Sequence, residues 1–256
     1  MEILAIVPAR NGSKSVPDKN IRMVAGKPML AWSIGHALAS SRINRVIVST
    51  DSERYADIAR EYGAEVPFLR PAEYATDTAL DIDVFVHALT WLDEHEGYRP
   101  DIVVQLRPTY PKRDPADIDA MIMQLADHPE ADSVRSLALA TEIPYKMWVT
   151  EKGEHAPAPG QGTENGATGR ILPLVKDIPE CYNMPRQKLP TVYYQNACID
   201  IARRSTIMEK HSMTGDVILG YIMRENLDID TETELLKSQV KLLEAELDEL
   251  RRTHAK

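Results

Sequence analysis

The sequence predicts an α/β protein built on a mostly parallel sheet with helices on both faces, and three observations predict it. Short apolar runs of strand length alternate with longer segments of helical period through the first half of the chain. The first apolar run leads directly into a polar loop broken by Pro8, Gly12 and Pro17. The chain has 256 residues, 43% of them hydrophobic, which suits one large α/β domain with a small insertion.

Taken in order, Ile3 to Val7 is a continuous apolar run, the pattern of a strand buried on both faces. The segment PARNGSKSVPDKN follows as a loop, and Met29 to Ala39 carries apolar residues at helical spacing. Arg45 to Ser49 reads as a second strand. Ser52 to Tyr62 reads as a second helix, capped near Asp51 or Ser52. Glu65 to Phe68 reads as a short third strand, Leu80 to Leu92 as a long helix, and Asp101 to Leu106 as a further buried strand. In the second half Ser133 to Leu139, Tyr145 to Val149 and Ala197 to Ala202 read as strands, and 153–169 as a mobile loop. From Thr231 the chain reads as helical, with Leu235, Leu236, Val240, Leu243, Leu247 and Leu250 as an apolar stripe.

The composition narrows the function. A formal net charge of -9 argues against a general nucleic-acid binder, which usually presents a basic face. Small anionic ligands remain compatible, because local groups bind phosphate whatever the net charge. The two cysteines, Cys181 and Cys198, form no CxxC pair and suit reduced cytosolic thiols. The apolar run near the N-terminus is too short for a signal peptide, and no stretch is long enough to span a bilayer. These features point to a cytoplasmic protein without a membrane partner. The seven histidines are scattered, and none is assigned a catalytic role.

In an open α/β sheet, ligands bind beyond the carboxyl ends of the strands. The first such loop here holds Arg10, Asn11, Gly12, Ser13 and Lys14, with Lys19 and Asn20 shortly after. Glycine permits close backbone approach, while the cations and backbone N–H groups suit a triphosphate. The loop is neither a GxxxxGK[ST] phosphate loop nor a GxGxxG dinucleotide fingerprint.

The segment PARNGSKSVPDKNIRMVAGKPMLAWSI resembles the opening signature of the acylneuraminate cytidylyltransferases, the CMP-sialic acid synthetases. The resemblance continues in order through VIVSTDS (46–52), FLRPAEYATDTA (68–79), LRPTYPKR (106–113), PRQKLP (185–190), YQNACIDI (194–201) and DIDTETEL (228–235). It implies a Rossmann-like nucleotide-diphospho-sugar transferase fold with a small dimerisation insertion. It also implies CTP, a sialic-acid-like sugar acid and Mg²⁺ as ligands. The implied division is a nucleotidyltransferase domain over 1–232, with about 133–195 for sugar binding and dimerisation, and a terminal helix over 233–256.

Carried over residue by residue, the resemblance gives Arg10, Asn11, Gly12, Ser13, Lys14, Lys19, Asn20, Arg70, Thr76, Asp77, Thr78 and Arg107 to the nucleotide. It gives Gln105, Lys146, Arg186, Gln187, Tyr193, Tyr194 and Asn196 to the sugar. Arg10, Lys14, Asp228 and Asp230 are the expected catalytic set, with Asp228 and Asp230 as metal ligands. In extended chain, residues two apart point the same way, so DxD presents two carboxylates to one ion. The residues leave two alternatives open. Thr76 to Thr78 suit a helix cap, and Asp230 suits an N-cap for the terminal helix.

Three features depart from the family pattern. Arg107 stands where the family's LQPTSP block has glutamine, with Gln105 two residues earlier. Ala197 and Asp200 replace a glycine and an aromatic of the NGAIYI block. The connection from Gly153 to Glu180 is longer than usual. The first departure keeps open a same-fold nucleotidyltransferase using GTP or another triphosphate with a different sugar. A non-catalytic nucleotide-binding protein is the remaining alternative. The resemblance further implies a homodimer, for which the apolar segment 171–175 and the terminal helix offer surfaces.

Overall fold

The structure is a computed structural model that describes residues 1–13, 16–151, 170–223, 231, 233, 234, 236–239 and 241–243. The strands are β1 (Ile3–Pro8), β2 (Met23–Val24), β3 (Lys27–Pro28), β4 (Arg45–Ser49), β5 (Ile102–Gln105), β6 (Ser133–Leu139), β7 (Trp148–Thr150), β8 (Ile171–Pro173), β9 (Tyr193–Arg203) and β10 (Ile218–Ile222). The α-helices are α1 (Met29–Ala39), α2 (Glu53–Glu61), α3 (Asp81–Glu96), α4 (Pro115–Asp127) and α5 (Arg204–Met208). Six strands form one sheet in the order β10-β6-β9-β5-β1-β4. Strand β1 runs parallel to both β4 and β5, whereas β9 runs antiparallel to β5.

The chain divides into two compact units, Met1–Ser136 with Asn196–Lys256, and Leu137–Gln195. In the larger unit the strand pleat sends alternate residues to opposite faces. Ala5 and Val7 pack with Leu30 and Ile34 of α1, Tyr55 of α2, and Ile118, Met121 and Leu125 of α4. Leu4, Ile6, Ile47 and Val103 pack on the other face with Phe85, Leu89 and Leu92 of α3 and Ile207 of α5. Both faces of the central strands are covered, which explains why they read as unbroken apolar runs. The smaller unit has its own cluster of Ile143, Cys181 and Leu189, with Tyr145, Ile178 and Val192 packed against it.

The expected strands at Arg45–Ser49 and Ser133–Leu139 and the helix at Met29–Ala39 occupy the anticipated residues. Ser52 caps α2 by accepting from the Tyr55 N–H. Two expected strands need correction. Around Glu65 there is only a single parallel bridge to Ile47, because Pro67 lacks the N–H needed to extend a ladder. Residues Pro144–Lys146 form a 3-10 turn, and the strand begins later, at Trp148. The helix expected from Leu80 starts at Asp81 and continues to Glu96, stopped by Gly97 with φ 64°. The expected mobile loop over 153–169 lies outside the described residues.

Of the terminal helix, Leu242 packs with Val24, Met29 and Trp32, and Gln239 Nε2 donates to the Met23 carbonyl at 2.9 Å. Leu236 and Leu243 are exposed, while Leu235, Val240, Leu247 and Leu250 lie outside the described residues.

Candidate active site

The loop leaving β1 is tied down by its backbone. The Ala9 N–H donates to the Ser49 carbonyl at 2.9 Å, at the end of neighbouring β4. The Asn11 N–H donates to Asp51 Oδ1 at 2.7 Å, and Asn11 Oδ1 accepts from the Gly12 N–H at 2.9 Å. Gly12 has φ 82°, a left-handed conformation that favours glycine. Asn20 is buried, and its Nδ2 donates to the Arg10 carbonyl at 2.9 Å. Asn20 thus shapes the loop, in which Asn11 and Gly12 are exposed residues whose backbone N–H groups are already engaged by Asp51 and the Asn11 side chain. Lys19 opens a short 3-10 turn, and Ser13 is half-buried. Lys14 lies outside the described residues.

Three arginines and their carboxylates gather beyond the strand ends. Arg10 Nη1 lies 2.9 Å from Asp77 Oδ1. Arg70 is 5% exposed, with Nε donating to Ser49 Oγ at 3.0 Å and Nη2 donating to the Ser49 carbonyl. Burial pulls the Arg70 guanidinium down to about 10; Asp51 and Asp81 oppose that shift and Arg10 adds to it. Asp51, Asp81 and Arg10 thus all lie close enough to act on the Arg70 guanidinium. Arg107 Nη2 lies 2.6 Å from Asp81 Oδ2, an oxygen that also accepts from Gln105 Nε2 at 3.0 Å. Thr76 and Thr78 are exposed with their hydroxyls 3.5 Å apart. They do not cap α3, whose N-cap residue Leu80 offers no side-chain hydrogen bond.

The loop after β5 is held by a buried arginine that donates to carbonyls and a hydroxyl. Arg113 is 5% exposed and donates from Nη2 to the carbonyls of Arg107 (3.1 Å) and Cys198 (2.8 Å), and from Nη1 to Ser33 Oγ at 3.1 Å. His36 nearby is pushed down to about 3 by burial, then by Arg113 and Lys27, so it stays neutral. Tyr110 donates its hydroxyl to the Asn196 carbonyl.

Asn196 is 3% exposed, and its Oδ1 accepts from Ser136 Oγ at 2.5 Å and from the Cys198 N–H at 3.2 Å. Its side chain braces β9 next to Ala197, which holds φ 55°. In the smaller unit Lys146, Arg186, Gln187, Tyr193 and Tyr194 are all exposed, and Arg186 Nη2 donates to the Ala140 carbonyl at 3.0 Å. Asp228 and Asp230 lie outside the described residues. Among the described residues no group of three or more His, Cys, Asp or Glu is arranged to hold a metal. No helix among them is long and apolar enough to cross a membrane.

Sequence reasoning missed Asp51, Asp81, Ser49 and Arg113 as parts of this site. Asp51 and Ser49 sit at the carboxyl end of a strand, the place that could have marked them. Asp81 lies in the first turn of α3, and Arg113 closes the LRPTYPKR block without having been given a role there.

A cation-rich loop beyond the first strand of a mostly parallel sheet, with helices on both faces, defines an α/β nucleotide-binding protein. Residues 4–150 match the cytidylyltransferase family model, and the chain belongs to that family of enzymes. It is 46% identical over 118 residues to the CMP-N,N'-diacetyllegionaminic acid synthase of Legionella pneumophila, an alignment covering 46% of this chain and 50% of that protein. It is 32% identical over 235 residues to the post-translational flagellin modification protein B of Campylobacter coli, covering 91% of each chain. The chain thus spans about half the length of the Legionella relative and nearly all of the Campylobacter one. Among solved structures, a CMP:2-keto-3-deoxy-manno-octonic acid synthetase complexed with CTP aligns with TM-score 0.68 at 15% identity, covering 96% of this chain and all of that one. This likeness establishes the fold, α/β with a mostly parallel sheet.

Proposed function

We propose that this cytidylyltransferase activates a nonulosonic, sialic-acid-like sugar acid with CTP, giving a CMP-sugar and pyrophosphate. The observation that carries the reading is the anchored Arg10 loop beside Arg70 and Arg107, which sets three arginines and their paired carboxylates at the carboxyl ends of β1, β4 and β5. The names of the relatives support the substrate class, since they include legionaminic, N-acylneuraminate and pseudaminic acid enzymes.

The sugar's anomeric hydroxyl attacks the α-phosphorus: a new P–O bond forms, the hydroxyl proton is released to solvent, and the bond to the β-phosphate oxygen breaks to release pyrophosphate. Arg10, Ser13, Lys14 and Lys19 hold and neutralise phosphate oxygens, so that the α-phosphorus is presented in line. Thr76, Asp77 and Thr78 close beside the nucleotide. Lys146 and Arg186 take the sugar carboxylate, with Gln187, Tyr193 and Tyr194 beside the ring.

Asp228 and Asp230 are proposed to hold Mg²⁺, for which paired carboxylate oxygens are the appropriate donors. The ion, when bound, neutralises triphosphate charge. Asp228→Asn is expected to flatten the Mg²⁺ response of turnover, and a wild-type response would remove it as a ligand. The protein is proposed to work in the cytoplasm as a homodimer. Light scattering that finds only monomer at micromolar concentration would reject the dimer.

The deciding experiment is pyrophosphate release across CTP, GTP, UTP and ATP with a panel of nonulosonic acids. Turnover with CTP and one such acid supports the reading. Turnover only with another triphosphate, or nucleotide binding without turnover, overturns it.

A further inference from the structure

Arg107 is fixed from both ends. Its carbonyl accepts from Ser33 Oγ at 2.9 Å and from Arg113 Nη2 at 3.1 Å. Its guanidinium meets Asp81 Oδ2 at 2.6 Å through Nη2. Asp81 is the first residue of α3 and is itself gripped from β5, where Gln105 Nε2 donates to the same oxygen at 3.0 Å.

Gln105 is 2% exposed, and its Oε1 is buried without a partner among the described residues. The amide cannot turn over to relieve this, because reversal would set Oε1 against a carboxylate oxygen. The geometry of Gln105 is therefore dictated by Asp81. Arg107 Nε is likewise buried without a partner among the described residues, although the side chain as a whole is 38% exposed. Nη2 of the guanidinium is committed to Asp81, and Nε has no protein acceptor among the described residues.

We propose that Asp81 is a positioning residue that aims Arg107 at an oxyanion of a substrate, and that Arg107 thereby helps set which substrate is accepted. A guanidinium only donates, whereas a glutamine amide in its place would both donate and accept. The group facing Arg107 is therefore a pure acceptor: a phosphate oxygen of the nucleotide or the carboxylate of the sugar acid. Asp81 also acts on Arg70, which joins this pair to the cluster containing Arg10. The inference rests on the CMP-sugar-forming activity proposed above.

The test uses the full chain and measures pyrophosphate release with CTP and the sugar acid varied separately. Asp81→Asn is nearly isosteric and partly exposed, so the fold survives, as circular dichroism can verify. It is expected to raise the KM for one substrate by about tenfold or more, the usual loss for a charge-assisted contact. Arg107→Gln should raise the KM for the same substrate, and the double variant should show no further rise. A shift for CTP identifies the oxygen as phosphate, and a shift for the sugar acid identifies it as carboxylate; both support the inference. Arg107→Lys separates aim from charge, and it should behave like Arg107→Gln because an ammonium cannot hold two partners in one fixed plane. Unchanged KM values in Asp81→Asn, simple additivity in the double variant, or full function in Arg107→Lys would each overturn the inference. Wild-type protein without turnover would instead count against the proposed activity.

Discussion

Arg10→Ala tests the phosphate loop, because its effects on stability and on catalysis are expected to separate. In the free protein Arg10 pairs with Asp77 at 2.9 Å, with the side chains 35% and 40% exposed. An ion pair so open to solvent contributes about 0–1 kcal/mol, and salt screens it further. The loop does not depend on this pair, since its shape comes from Ala9, Asn11 and Asn20 contacts to Ser49, Asp51 and the Arg10 carbonyl. Against bound triphosphate, losing a charge-assisted contact costs about 1.5–3 kcal/mol, or roughly ten- to a hundredfold in kcat/KM. Urea unfolding should therefore move by no more than about 1 kcal/mol, while pyrophosphate release at limiting CTP falls by at least about tenfold. Unchanged kinetics would take the loop out of the active site. A stability loss as large as the catalytic loss would make Arg10 a structural residue.

Lys146→Ala and Arg186→Ala should each raise the KM for the sugar acid by about tenfold, with CTP binding by calorimetry unchanged; the opposite pattern would reverse the assigned division of the site. Asp132 accepts from Lys210 Nζ and from the N–H groups of Asp216 and Val217, and these hold its carboxyl well below the usual carboxylate range, against the opposing effect of burial. Its stabilisation is present above the unfolded value of about 4 and is lost as pH falls through the depressed folded value. Asp132→Asn should lower Tm at neutral pH and show a shallower acid loss than the native chain, and identical acid slopes would refute this. Ala197→Gly should gain about 0.5–1 kcal/mol in urea unfolding, because the left-handed φ of 55° costs alanine about 1–2 kcal/mol while glycine's extra chain entropy returns part of that. No gain would mean that the packing of β9 needs the methyl group.

The buried strands and the helices packed on them were legible because burial on both faces leaves an unambiguous apolar run, as in Ile3 to Val7 and Arg45 to Ser49. Helix α4 escaped notice although Asp114 and Pro115 mark its start and Ile118, Met121, Ile122 and Leu125 keep helical spacing. Strand β10 was harder to read: its alternate residues face solvent, and Gly220 interrupts the apolar pattern. In the candidate site, the loop cations and Gly12 could be singled out from sequence because phosphate chemistry favours such residues. Their partners could not, because Asp51 and Asp81 acquire meaning only when β4 and α3 bring them to Asn11 and Arg107. Asn196 shows the reverse: an amide that suggests sugar recognition from sequence is committed to Ser136 and Cys198.

The smaller unit, Leu137–Gln195, is reached along β6 and left along β9, and these two strands are neighbours in the sheet. The excursion therefore begins and ends at almost the same place in the ladder, so its length is not constrained by the strand order. A lineage could lengthen, shorten or exchange everything between those two strands as a cassette, leaving the Arg10 loop and the β1, β4 and β5 ends untouched.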